Sequence, residues 1–123
     1  MWATLGESCT KNRQIDMATR KRSPSALSID RLTAAGYLVG RVEQTIPHTR
    51  ITRDLWGFVD LLAIREGEVL AVQVTSASHV AARVAKITDH ANLAAVRAAG
   101  IRIEVHGWRR KAGEDICRVV DLS

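Results

Sequence analysis

The sequence predicts an α/β fold: a mixed sheet flanked by helices, in the order helix, three strands, long helix, and one or two further strands. Three observations carry this. Two apolar runs of strand length, residues 58–64 and 69–74, are separated by Arg65-Glu66-Gly67-Glu68, the composition of a short polar turn. An alanine-rich stretch, residues 78–99, follows with Val80, Val84, Ile87, Ala91, Leu93 and Val96 at the spacing of one helix face. A strand that continues through a helix into another strand suits a right-handed parallel crossover. The chain has 123 residues, enough for one ordinary domain and too few for two.

The elements follow in order. Residues 1–22 are polar and basic without sustained periodicity, and read as a flexible arm ahead of an α/β domain at 23–123. Ser23-Pro24 supplies an N-cap and a proline at the first helical position, where a missing N–H costs nothing. Leu27, Ile29, Leu32 and Ala35 then recur at roughly helical spacing, and Gly36 is placed to end the helix. Residues 37–46 alternate as a strand, with Leu38, Gly40, Val42, Gln44 and Ile46 on one side and Val39, Arg41, Glu43 and Thr45 on the other. Pro47 ends it, and 47–55 read as a polar connection to the hairpin. Gly100 stops the long helix, 101–105 alternate as a fourth strand, and 116–120 form a last one after the turn at Gly113.

Lys and Arg outnumber Asp and Glu by 18 to 13, a formal charge of +5 that suits a polyanionic partner. Lys11, Arg13, Arg20, Lys21 and Arg22 cluster in the arm, and Arg109-Arg110-Lys111 follow Trp108. Cys9 and Cys117 have no CxxC or Cys/His ligand spacing, so neither a zinc site nor a disulfide framework is indicated. No apolar run approaches the roughly 20 residues of a membrane span, and Met1-Trp2-Ala3 does not open a secretory signal. A cytoplasmic protein with reduced thiols and no membrane partner is the expectation.

The chemistry concentrates in Asp54-Leu55-Trp56-Gly57-Phe58-Val59-Asp60 and, across the hairpin, Val72-Gln73-Val74-Thr75-Ser76. Asp60 and Gln73 interrupt apolar strands. A carboxylate buried in a sheet is costly unless paired, and a divalent cation is one solution. Paired as a hairpin, the two runs place Asp60 beside Gln73, each offering an oxygen to the same point.

This pattern resembles the PD-(D/E)XK, or restriction-endonuclease-like, nuclease superfamily. Its core is helix, three-stranded meander, helix, strand; its site is an Asp on the second strand and Glu-x-Lys on the third. The resemblance covers about residues 24–107, with Asp60 at the family aspartate and Gln73-Val74-Thr75 at Glu-x-Lys. With Arg83, Lys86 and Gly107-Trp108-Arg109, the run also looks like uncharacterised bacterial and phage proteins assigned to this superfamily. It implies a restriction-endonuclease-like core and a Mg²⁺- or Mn²⁺-dependent cleavage of nucleic acid, DNA first, by Asp60, Gln73, Thr75, Lys86 and Glu43. The implied ligands are Asp60 and Gln73, with Glu43 as a further acid; Asp54, six residues before Asp60, is a second candidate acid or else the cap of a turn. A homodimer, two sites for two strands, is implied as well.

Two positions depart from the family pattern. Gln73 lacks the negative charge of glutamate but keeps a carbonyl oxygen able to ligate a metal. Thr75 cannot supply the positive charge of lysine. In this superfamily the lysine can sit on the following helix, where Lys86 stands three residues after Arg83, as an active-site cation or a phosphate contact.

Arg53, Trp56, Arg83, Trp108, Arg109, Arg110 and Lys111 are the candidate nucleic-acid contacts, because rings beside arginines can stack on unpaired bases. Packing is the alternative for Trp56 and Trp108. His48, His79, His90 and His106 form no metal-binding spacing, although His48 and His79 can approach the site from its loops. Ser76 and Ser78 lack a nucleophile elbow, and no glycine-rich phosphate loop is present. Three functions follow: an endonuclease, a nuclease-like fold that binds nucleic acid without cutting it, or a protein-interaction or inhibitor protein.

Overall fold

A computed structural model describes residues 22–123. The arm expected at 1–22 lies outside them except for Arg22, which forms an ion pair with Asp30. The chain runs through α1 (Pro24–Ala34), β1 (Leu38–Arg41), β2 (Gln44–Ile46), β3 (Ile51–Arg53), β4 (Leu61–Arg65) and β5 (Glu68–Ser76). A 3₁₀ turn (Ala77–His79), α2 (Val80–Thr88), α3 (Leu93–Ala98), β6 (Arg102–Lys111) and β7 (Glu114–Asp121) complete it. Five strands make a mixed sheet in the order β1-β4-β5-β6-β7, and β2 with β3 makes a separate two-stranded sheet. Only the β5–β6 pair is parallel, which is the crossover read from the sequence. No helix among the described residues is long and apolar enough to cross a membrane.

α1 begins as expected, with Ser23 Oγ accepting from the Ala26 N–H at 3.2 Å and Pro24 in the first turn. Its buried face is Ser28 and Leu32, packed with Tyr37, Leu61, Ala63, Leu70, Val72 and Val74 on one side of the sheet. The other side carries Phe58, Val59, Ala71, Val80, Ile87, Leu93, Val96, Ile103 and Val105 beneath α2 and α3. β5 is buried from Leu70 to Thr75 because both faces are covered, and its side chains alternate between layers. Gln73 and Thr75 therefore share the α2 side with Ala71.

A polar chain crosses the α1 layer. Trp108 donates its indole N–H to Ser28 Oγ at 2.8 Å, Ser28 Oγ lies 2.9 Å from His106 Nδ1, and His106 Nε2 lies 3.0 Å from Glu104 Oε1. A carboxylate can only accept, so the Nε2–H goes to Glu104; Nδ1 of the neutral ring then accepts from the Ser28 hydroxyl, whose oxygen accepts from the indole.

Four elements differ from the reading of the sequence. The strand expected over 37–46 is two strands: β1 pairs with β4, the chain leaves the sheet at Glu43, and β2 pairs with β3. Alternation reports an extended backbone, not its partner. The connection expected over 47–55 contains β3, closed onto β2 by a turn in which His48 and Arg50 take φ 68° and 57°. Phe58 and Val59, with no exposed surface, belong to a turn and not to β4. There Leu55 and Val59 exchange both backbone hydrogen bonds around Trp56 and Gly57, and the run is apolar because the turn plugs the core.

The long helix over 78–99 is broken at 89–92. Asp89, His90 and Asn92 are weak helix formers, and His90 with Asn92 makes a local bond in place of the helical pattern. The Asn92 N–H donates to His90 Nδ1 at 3.1 Å, and the Asn92 amide donates to the Trp56 carbonyl at 3.0 Å. The break lets His90 set its ring edge-on to Phe58, over Gly57, where an added Cβ would lie 2.3 Å from the ring.

Candidate metal centre

β4 begins at Leu61, so its pairing with β5 ends at Leu61↔Val72 and the Val74 N–H, one pleat further on, has no strand carbonyl to meet. The Asp60 side chain takes that place. Its Oδ2 accepts from the Val74 N–H at 2.8 Å and from Gln73 Nε2 at 2.5 Å. The Asp60 backbone is fixed as well, its N–H donating to the Val72 carbonyl at 2.9 Å and its carbonyl accepting from the Val42 N–H at 3.0 Å. The side-by-side placement expected of Asp60 and Gln73 is therefore present, with both side chains buried, but Gln73 turns its amide nitrogen and not its oxygen to Asp60.

Glu43 and Asp54 join them. The β2–β3 register pairs Gln44 with Arg53, and one step further puts Glu43 opposite Asp54 at the base of that hairpin. A carboxylate oxygen from each of Glu43, Asp54 and Asp60 lies within 4.8 Å of the others. Burial first, then a hydrogen bond to the Asp54 carboxyl and the charges of Asp54 and Glu43, push the Asp60 carboxyl up to about 7 against the lowering effect of the Val74 N–H. Near neutral pH the trio thus holds a proton where a divalent cation can sit.

The donor set fits such an ion. It is all oxygen, as Mg²⁺ and Mn²⁺ prefer. Gln73 Oε1 is fully buried and, among the described buried side-chain polar atoms, is without a hydrogen-bond partner, a defect that a cation or its bound water would repair.

The remaining predicted residues are placed differently. Thr75 is buried two positions beyond Gln73 on the same side of β5. Arg83 is half-buried and Lys86 exposed on α2, and no hydrogen bond or ion pair links either to the trio. Arg53 is exposed on β3 and Trp56 is exposed in the turn before Asp60. Trp108 faces the α1 layer, on the opposite side of the sheet from Asp60, with its N–H engaged by Ser28. Arg109, Arg110 and Lys111 are exposed at the far end of β6, where Arg110 pairs with Asp115 at 3.3 Å. His48 sits at the β2–β3 turn, and His79 Nδ1 is 2.6 Å from Ser76 Oγ; neither belongs to the trio.

The element that sequence reasoning missed is the β2–β3 hairpin, which brings Glu43 to Asp54. A signal was present: Gln44-Thr45-Ile46 and Ile51-Thr52-Arg53 mirror one another in polarity about the intervening Pro47-His48-Thr49-Arg50. Comparison of the chain with protein-family models, with curated proteins and with solved structures finds no match.

Proposed function

We propose that the chain is a metal-dependent phosphodiester hydrolase acting on nucleic acid, a DNA endonuclease or nickase, with Mg²⁺ or Mn²⁺ held by Asp60, Asp54, Glu43 and the Gln73 carbonyl. The observation that carries this is the trio of carboxylates, joined through Asp60 to Gln73, whose amide oxygen is buried and without a hydrogen-bond partner. The strand order supports it: antiparallel meander, helical crossover and parallel fourth strand are the core of the nuclease superfamily that the Asp60 and Gln73 runs resemble. A bound divalent ion would supply an activated water and a Lewis acid for the phosphoryl oxygen.

The chain's own residues do the positioning. Val74 and Gln73 fix the Asp60 carboxylate by two donors on one oxygen. The hairpin base holds Glu43 and Asp54 across from it. The Thr75 hydroxyl, beside Gln73, is a donor for a phosphate oxygen, and Lys86 or Arg83 would close over the substrate from α2.

A second reading, a nuclease-like fold that binds nucleic acid without cutting it, is favoured by two observations: among the described residues no lysine or arginine is tied to the trio, and Thr75 stands in the expected place of lysine. Nicking of supercoiled plasmid in Mn²⁺ separates the two. The endonuclease nicks, and Asp60→Ala abolishes nicking; salt-sensitive retention of DNA with no cleavage in any divalent ion favours the binding module. Cutting both strands would take two copies of the chain.

A further inference from the structure

The β2–β3 hairpin stands outside the main sheet, and every residue from 44 to 53 except Ile46 is exposed. A two-stranded ribbon this short gains little stability by itself. It is nevertheless well specified. At its tip the Thr49 N–H and Oγ1–H both donate to the Ile46 carbonyl, at 3.3 and 2.9 Å, and the Ile51 N–H donates to Thr49 Oγ1 at 3.3 Å. His48 and Arg50 are held at positive φ without being glycine, a strain of about 1 kcal/mol or more each of the kind that clusters at binding elements.

Its charge has one sign. Between Gln44 and Arg53 there are two arginines, Arg50 and Arg53, and no acidic residue. Neither guanidinium has a hydrogen bond or ion pair among the described residues. The acids lie only at the base, where Glu43 and Asp54 belong to the candidate metal centre. Above them on the same side of the ribbon, Thr45 and Thr52 bring their hydroxyls to 3.4 Å.

We propose that this hairpin is a finger that enters the major groove of duplex DNA, with Arg50 and Arg53 on the flanking phosphates, and so places a phosphodiester at the acids of its own base. The proposal rests on the reading of the trio as a nucleic-acid site and deepens it by naming the duplex. A two-stranded ribbon matches the roughly 12 Å width of the B-DNA major groove, whereas the major groove of duplex RNA is too deep and narrow to admit it.

The test measures binding of the full chain to a short DNA duplex across a salt series without divalent ions, alongside a separate Mn²⁺ titration. The variant is Arg50→Asn with Arg53→Gln; asparagine tolerates the left-handed backbone, and both side chains are exposed. The expected result is at least a tenfold loss of affinity and a salt slope shallower by about 2, with the Mn²⁺ isotherm unchanged and the slope kept in the double lysine variant. An unmoved slope and affinity, no binding by the wild type, or equal competition by duplex RNA would each overturn the finger. The two readings fail separately: a shallower slope in a chain that takes up no Mn²⁺ keeps the finger and removes the metal centre, and Mn²⁺ uptake with an unmoved slope does the reverse.

Discussion

A carboxyl group with only 5 % of its surface exposed, beside two other carboxyls, ionises at a cost, and Asp60 is pushed up to about 7 in consequence. The sign of the effect on stability follows. The unfolded chain releases this proton near 3.8 and the folded chain near 7, so the folded state binds more protons between those values. Stability is therefore full below the lower value and falls as pH rises to the upper one, by about 4 kcal/mol at most. An amide at Asp60 can accept from Val74 and Gln73 and donate to the neighbouring carboxylates, with nothing to ionise. Asp60→Asn is accordingly expected to raise the melting temperature in chelator at about pH 8 and to change it little at about pH 5. Equal loss at both pH values would make Asp60 a structural acid. The Asp60 and Gln73 pair was legible in the sequence because a polar residue inside an apolar run is conspicuous. For Glu43 the alternation gave a side of the strand but not which side faces Asp60, since its strand changes partners at that residue.

At the scale of elements, the crossover from β5 to β6 sets the depth of the Gln73 side. Thr75 pairs with Gly107, and an added Cβ at Gly107 would lie 2.1 Å from Val80 Cγ2 and 3.2 Å from the Ala77 Cα. Val80 is buried, so it has no solvent to move into. Gly107→Ala is expected to cost about 1–3 kcal/mol, read as a lower denaturant midpoint. A variant as stable as the wild type would show that the crossover yields at no cost. The start of α1, the β4–β5 hairpin and the parallel β6 were readable from caps, turn residues and periods. The broken helix was not, because Ala91, Leu93 and Val96 keep the apolar spacing while Asn92 bonds to the Trp56 carbonyl in the turn before Asp60 and His90 packs its ring on Phe58. Nor was β3, whose turn contains no glycine and is held by Thr49.

Across the whole molecule the two sides of the sheet have different tasks. The α1 side is a packing layer, tied to β6 through Ser28, His106 and Trp108. The α2 side carries the carboxylate trio, Gln73 and the projecting hairpin, so chemistry and charge lie together. Whether this cluster is a divalent-cation site is decided by calorimetric titration of Mn²⁺ at about pH 8, where Asp60 is largely ionised. One ion per chain is expected in the wild type, at least tenfold weaker binding in Asp60→Asn, and tighter binding in Gln73→Glu, which adds a charged oxygen at the same reach. No uptake by the wild type, or one affinity shared by all three proteins, would contradict a cation site there.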